Sequence, residues 1–137
     1  MICAVHALVG ATAGRLVGRP VPALAAGIST HLLGDLLPHK DFDPKIEAPL
    51  LAATLAVLAW RFGVRSPEFA GAFGGIAPDF ENAAMVTGLL PRSAMRFPTH
   101  ISEANHGRKA ASALPQGIVA SLCAVYLLRG GGSRQSR

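Results

Sequence analysis

Glycine and proline divide this chain before any other feature does. Gly18-Arg19-Pro20, Pro38, the run Phe62-Gly63-Val64-Arg65-Ser66-Pro67 and Pro91 each fall between apolar stretches. Glycine marks helix ends, and proline lacks the N–H that a helix interior needs. The stretches between them show no alternation of period two and no internal repeat. They predict an all-α chain of about five helices. The first runs from about Ile2 to Val17 and the second from about Val21 to Leu37, where Pro38 stops it. The third is the apolar run Ile46–Phe62, with Pro49 in its first turn and Gly63 at its end. The fourth starts at Glu68 behind Ser66 as N-cap, breaks at Ala77-Pro78-Asp79 and resumes to Leu90. The fifth spans about Ala110 to Leu128. Residues 1–128 are expected to form one helical membrane domain, and residues 129–137 a disordered basic tail.

The membrane expectation comes from composition. Half of the 137 residues are hydrophobic and 15% are charged, against roughly 25% in ordinary globular chains. Mean hydropathy is +0.37. A full span needs about 20 apolar residues, and the runs here are marginal, the third and fifth being the best candidates. The net charge of +5 sits at segment ends, at Arg15, Arg19, Arg61, Arg65, Arg129 and Arg134. That spacing suits helix ends at a headgroup region and argues against a nucleic-acid surface, which would cluster basic and aromatic residues on one face. An up-and-down bundle places these arginines on one side, which the positive-inside rule makes cytoplasmic, although Arg92, Arg96, Arg108 and Lys109 fall on the other. The expected location is therefore integral to a membrane, the plasma (inner) membrane first, with the lipid bilayer as partner. Cys3 and Cys123 form no CxxC pair and are read as buried thiols. The N-terminus lacks the basic region of a cleaved signal.

The polar residues are more informative. All five histidines, His6, His31, His39, His100 and His106, fall on the side away from the arginine ends Arg15/Arg19, Arg61/Arg65 and Arg129/Arg134. A hairpin through Gly18-Arg19-Pro20 brings His6 beside the end of the second helix. His31 and Asp35, four residues apart, share one helix face. His39 and Asp41 follow the proline stop. Imidazole with carboxylate suits Zn²⁺, Mn²⁺ or Fe²⁺, zinc being the first expectation. Each residue also has a plain structural role open to it. His31 with Asp35 can be a helix-surface pair, His6 a surface residue, His39 and Asp41 a solvated loop, and Asp79 with Glu81 a cap after Pro78. Glu103 and Asp43 are expected to be solvated.

The segment "GISTHLLGDLLPHKDFD", with "GGIAPDFEN" and "FPTHISEANHGRK", resembles the predicted membrane-bound, metal-dependent hydrolases, a family distantly akin to zinc-dependent phospholipase C. The resemblance covers about Met1 to Lys109. It carries an N-terminal histidine (His6), an H-x3-D-x2-P-H-x-D-like pattern (His31, Asp35, His39, Asp41), a GG-x-x-P-D segment (Asp79) and a later histidine pair (His100, His106). Two features depart from the family pattern. His100 and His106 are spaced more widely than the family's pair, and Glu81 stands where many members have a second aspartate. The resemblance implies a divalent-metal site drawn from His6, His31, Asp35, His39, Asp79, His100 and His106, with His31, Asp35 and Asp79 first. It implies hydrolysis of a phosphoester or other ester, of a phosphate-bearing or lipid substrate, with Arg96 or Arg108 available to phosphate. The alternatives are a non-catalytic membrane protein with a structural His/Asp cluster, and a proton or metal relay, for which five short helices make a poor pathway.

Overall fold

A computed structural model of the chain describes residues 1–40, 42–97 and 110–129. The described residues are helical, without strands: α1 (Cys3–Val17), α2 (Pro20–Asp35), α3 (Pro44–Phe62), α4 (Pro67–Val86) and α5 (Leu114–Arg129), with a 3₁₀ turn at Arg92–Ala94. The expected punctuation operates as local chemistry. Gly18 adopts φ 72°, closing α1 with its N–H on the Gly14 carbonyl. The Asp43 carboxylate accepts the Lys45 N–H at 2.8 Å to start α3, and Ser66 Oγ accepts the Phe69 N–H at 3.0 Å to start α4.

Helices α1, α2 and α4 pack against one another, while α3 and α5 lean on α1. Glycine makes the three-helix contact possible. A Cβ on Gly10 or on Gly27 would run into the Gly71 carbonyl oxygen, so that one oxygen marks where all three helices meet. Further along, a Cβ on Gly14 would strike the Pro67 carbonyl, and one on Gly74 the Leu24 carbonyl. The backbones touch because no side chain lies between them. Around this seam the core is small and aliphatic: Ala7, Ala11, Ala72 and Ile76, with Leu58 and Leu127 brought in from α3 and α5. Arg15 ties the far end together. Its guanidinium donates to the Leu127 carbonyl at 2.9 Å and lies over the Tyr126 and Phe62 rings.

Three sequence expectations change. No helix among the described residues is long and apolar enough to cross a membrane. This overturns the transmembrane bundle and the integral inner-membrane location. Helices α1, α2 and α5 have 15 or 16 residues, short of a span. Helices α3 and α4 have the length but carry Lys45, Glu47 and Arg61, and Glu68, Asp79 and Glu81, within it. Second, α4 runs unbroken through Pro78. The proline forfeits one helical hydrogen bond, but it is buried where α4 is packed on α1 and α2, and that packing outweighs the local penalty. Third, α5 begins at Leu114. Residues 110–113 are drawn away from helical geometry by the Ala110 N–H on the His39 carbonyl at 2.7 Å and by Ser112 Oγ accepting the Leu114 N–H at 3.1 Å.

The seam gives a paired prediction. Gly117 on α5 has open space around its Cβ position, so Gly117→Ala should raise the unfolding free energy by roughly 0.5–1 kcal/mol, the ordinary gain of alanine in a helix. Gly71→Ala gains the same propensity but meets the Gly10 carbonyl. It should lower stability by about 1–3 kcal/mol. Urea unfolding of the two variants beside wild type checks the opposite signs.

Candidate metal centre

The α1–α2 hairpin places His6, in the second turn of α1, against the last turn of α2. Gly34 lies under the His6 ring, where a Cβ would come within 3.1 Å of Cε1. The His6 and His31 rings stack with centroids 3.9 Å apart and planes 26° apart. Asp35 serves both. Its Oδ1 is 3.0 Å from His6 Nε2 and 3.3 Å from the Met1 amine, and its Oδ2 is 3.1 Å from His31 Nε2. Helix α4 closes the group from the third side. The Gly75 carbonyl lies 2.6 Å from His31 Nδ1, and Asp79 Oδ1 lies 3.8 Å from His31 Nε2. His6, His31 and Asp35 are essentially sealed from solvent, while Asp79 keeps 20% of its side-chain exposure.

The tautomer of His31 follows from its neighbours. A carbonyl can only accept, so Nδ1 carries a hydrogen and Nε2 is the nitrogen turned to Asp35 and Asp79. Burial opposes charge on His31, yet the Asp35 hydrogen bond, the Asp79 and Asp35 charges and the Gly75 carbonyl outweigh it, so its pKa is raised above 6.5. His6 moves the other way. Burial pushes it below 6.5, the charge on His31 adds to that, and Asp35 offsets only part. The cluster therefore accommodates a proton on His31 while His6 stays neutral. The contribution of His31 to stability is full below pH 6.5 and is lost as pH rises through its higher folded value. The contribution of His6 is full above pH 6.5 and is lost as pH falls through its lower one.

His6, His31 and Asp79 each present a ligand atom, all within 4.8 Å of one another, and this group could hold a metal ion. Two ligands bonded to one zinc-sized ion at ~2.1 Å stand at most ~4.2 Å apart, so modest side-chain closure suffices. The Gly75 carbonyl on Nδ1 is the supporting partner that a metal-ligating histidine commonly has, whereas Asp35 meets His31 at Nε2 itself, so an ion bound there would replace the His31–Asp35 contact. Of the other expected residues, His39 is buried, but its Nδ1 donates to the Leu37 carbonyl at 2.8 Å and it is not in the group. His100, His106 and Asp41 lie outside the described residues. Glu81 accepts the backbone N–H groups of Arg96 and Phe97 at 2.6 and 2.8 Å, and so fastens the chain after α4 rather than joining the group.

Sequence reasoning missed Cys3. It sits three residues before His6 on the same helix face, and that spacing was the available signal. Its thiol is 3.5 Å from Glu47 Oε2. Burial, then Asp79, then Glu47 push its pKa well up, so it stays protonated. Cys3, Glu47 and Asp79 also line a cavity between α3 and α4. No family model, curated protein or solved structure matches the chain.

Two measurements probe this cluster. In an NMR titration His31 should show its midpoint above 6.5 and His6 below it. Asp35→Asn removes the carboxylate and should bring the His31 midpoint down, because burial then dominates. Asp35→Ala leaves two buried imidazoles without their shared acceptor. It should cost about 3–5 kcal/mol of unfolding free energy by denaturant titration.

Proposed function

We propose that this chain is a divalent-metal-dependent hydrolase of ester or phosphoester substrates, with zinc held by His6, His31 and Asp79. The observation that carries the reading is the double constraint on His31. Its Nδ1 is fixed on the Gly75 carbonyl, which directs Nε2 at Asp35 and Asp79 beside the His6 ring. A bound divalent cation supplies Lewis-acid polarisation of the ester or phosphoester oxygen. The Gly75 carbonyl holds the His31 ring in orientation, and Asp35, beside Nε2 of both imidazoles, supplies the buried negative charge that favours a cation there. Asp79, the partly exposed member, connects the buried group to the cavity through which a substrate approaches. Cys3 remains a thiol beside two carboxylates, which is the wrong state for a nucleophile, so the reading assigns the attack to water rather than to a covalent enzyme intermediate. The resemblance to membrane-bound metal-dependent hydrolases agrees in residue types at His6, His31, Asp35 and Asp79.

A second reading has its own support. Asp35, buried and shared between two imidazoles and an amine, is the arrangement of a structural pin. Metal content separates the two. The purified chain should carry close to one equivalent of a divalent ion by elemental analysis. His31→Ala and Asp79→Ala, substituted separately, should each lose it. Full occupancy in both variants would sink the metal site and leave the structural pin. Hydrolysis of chromogenic phosphoesters and esters, abolished by a chelator and restored by zinc, then tests the chemistry.

A further inference from the structure

The cavity that Asp79 shares with the ion group has a size and a lining that select an occupant. It measures about 240 Å³. Its lining includes the fully buried Ile76, with Leu51 and the half-exposed Phe80. Ala48 and Ala83, both exposed, stand at its rim on α3 and α4. Two of its polar groups are turned to each other and to the backbone. Glu47 Oε2 takes the Cys3 thiol, and Glu47 Oε1 takes the Phe42 N–H at 2.9 Å. Asp79 is the lining carboxylate that also belongs to the ion group.

Resting on the hydrolase reading, we propose that this cavity receives one short apolar arm of the substrate, with the scissile ester held at Asp79. Beyond that end the lining is mainly apolar, and its polar groups Cys3 and Glu47 are engaged with each other and with the Phe42 N–H, which suits a hydrocarbon. The volume sets the length. A cavity of roughly 150 Å³ holds a benzene ring, and pockets for drug-sized ligands begin at about 300 Å³. The present cavity lies between them, enough for a single short alkyl or acyl chain. Two long chains do not fit inside it together, so the cavity itself takes one arm.

The test uses p-nitrophenyl acetate, butyrate, hexanoate and decanoate with the zinc-loaded full chain. n-Alkanols from ethanol to octanol, followed through the Ile76 and Leu51 methyl resonances, provide a metal-independent probe. Along the ester series kcat/KM should rise about fourfold per methylene and then level off once the arm fills the cavity. Ala83→Leu, and independently Ala48→Leu, narrow the rim. Each should cut the hexanoate-to-acetate ratio of kcat/KM at least tenfold in protein whose metal content equals wild type. Hydrolysis with no dependence on chain length overturns the apolar arm and leaves the hydrolase reading standing. If no ester is turned over, the hydrolase reading fails and the alkanols decide the cavity. Affinity that climbs with chain length in wild type and is lost in Ala83→Leu supports an apolar-arm site. Flat affinity overturns it and leaves the groove to a stretch of protein.

Discussion

The structure depends on backbone meeting backbone at Gly71. Its carbonyl faces glycines on both α1 and α2, and the three helix axes can approach that closely only because Gly10, Gly27 and Gly71 carry no side chain. One turn further along the same seam, Gly75 continues the contact, since a Cβ there would strike the His6 carbonyl. The Gly75 carbonyl is also the group that accepts from His31 Nδ1. The site is thus a consequence of the packing. The residue that lets α4 approach α1 also sets the tautomer of the central histidine.

That arrangement carries an energetic cost which the cluster answers internally. Asp35 is 1% exposed, and a lone carboxylate in such a place would be strongly disfavoured. Two imidazoles and an amine surround it, and the net effect is a raised proton affinity on His31 and a lowered one on His6. Stacked at 3.9 Å, the two rings cannot both hold charge cheaply. One proton, or one cation bound through Nε2 of His31, satisfies the same negative charge. A buried cluster that balances itself with a proton is also one that a metal can enter by displacing it.

Much of this was legible from punctuation. Gly18-Arg19-Pro20 implies the α1–α2 hairpin, and the hairpin alone puts His6 beside His31 and Asp35. Ser66 and Gly63 mark their helix ends as their chemistry requires. Two things were not legible. Pro78 reads locally as a break, yet the contacts that hold α4 straight come from residues more than forty positions away. Gly71, Gly74 and Gly75 carry no local signal of their role, because the glycine seam exists only once α1 and α2 are in place. The membrane expectation failed for a different reason. Mean hydropathy counts the alanines, leucines and valines but not where charges interrupt them or how soon glycine and proline end each run. With those counted, no described helix qualifies as a span.

Asp79 is where packing and chemistry meet. It follows Pro78 in the stretch of α4 that local rules would break, and a break there would swing its carboxylate away from His31. Continuity of α4 instead holds Asp79 one turn beyond Gly75, with one side toward Nε2 of His31 and the other lining the cavity with Ile76 and Phe80. The unbroken helix therefore does more than fill space. It fixes the distance between the buried histidines and the apolar cavity, the separation on which the proposed placing of an ester beside its hydrocarbon arm depends.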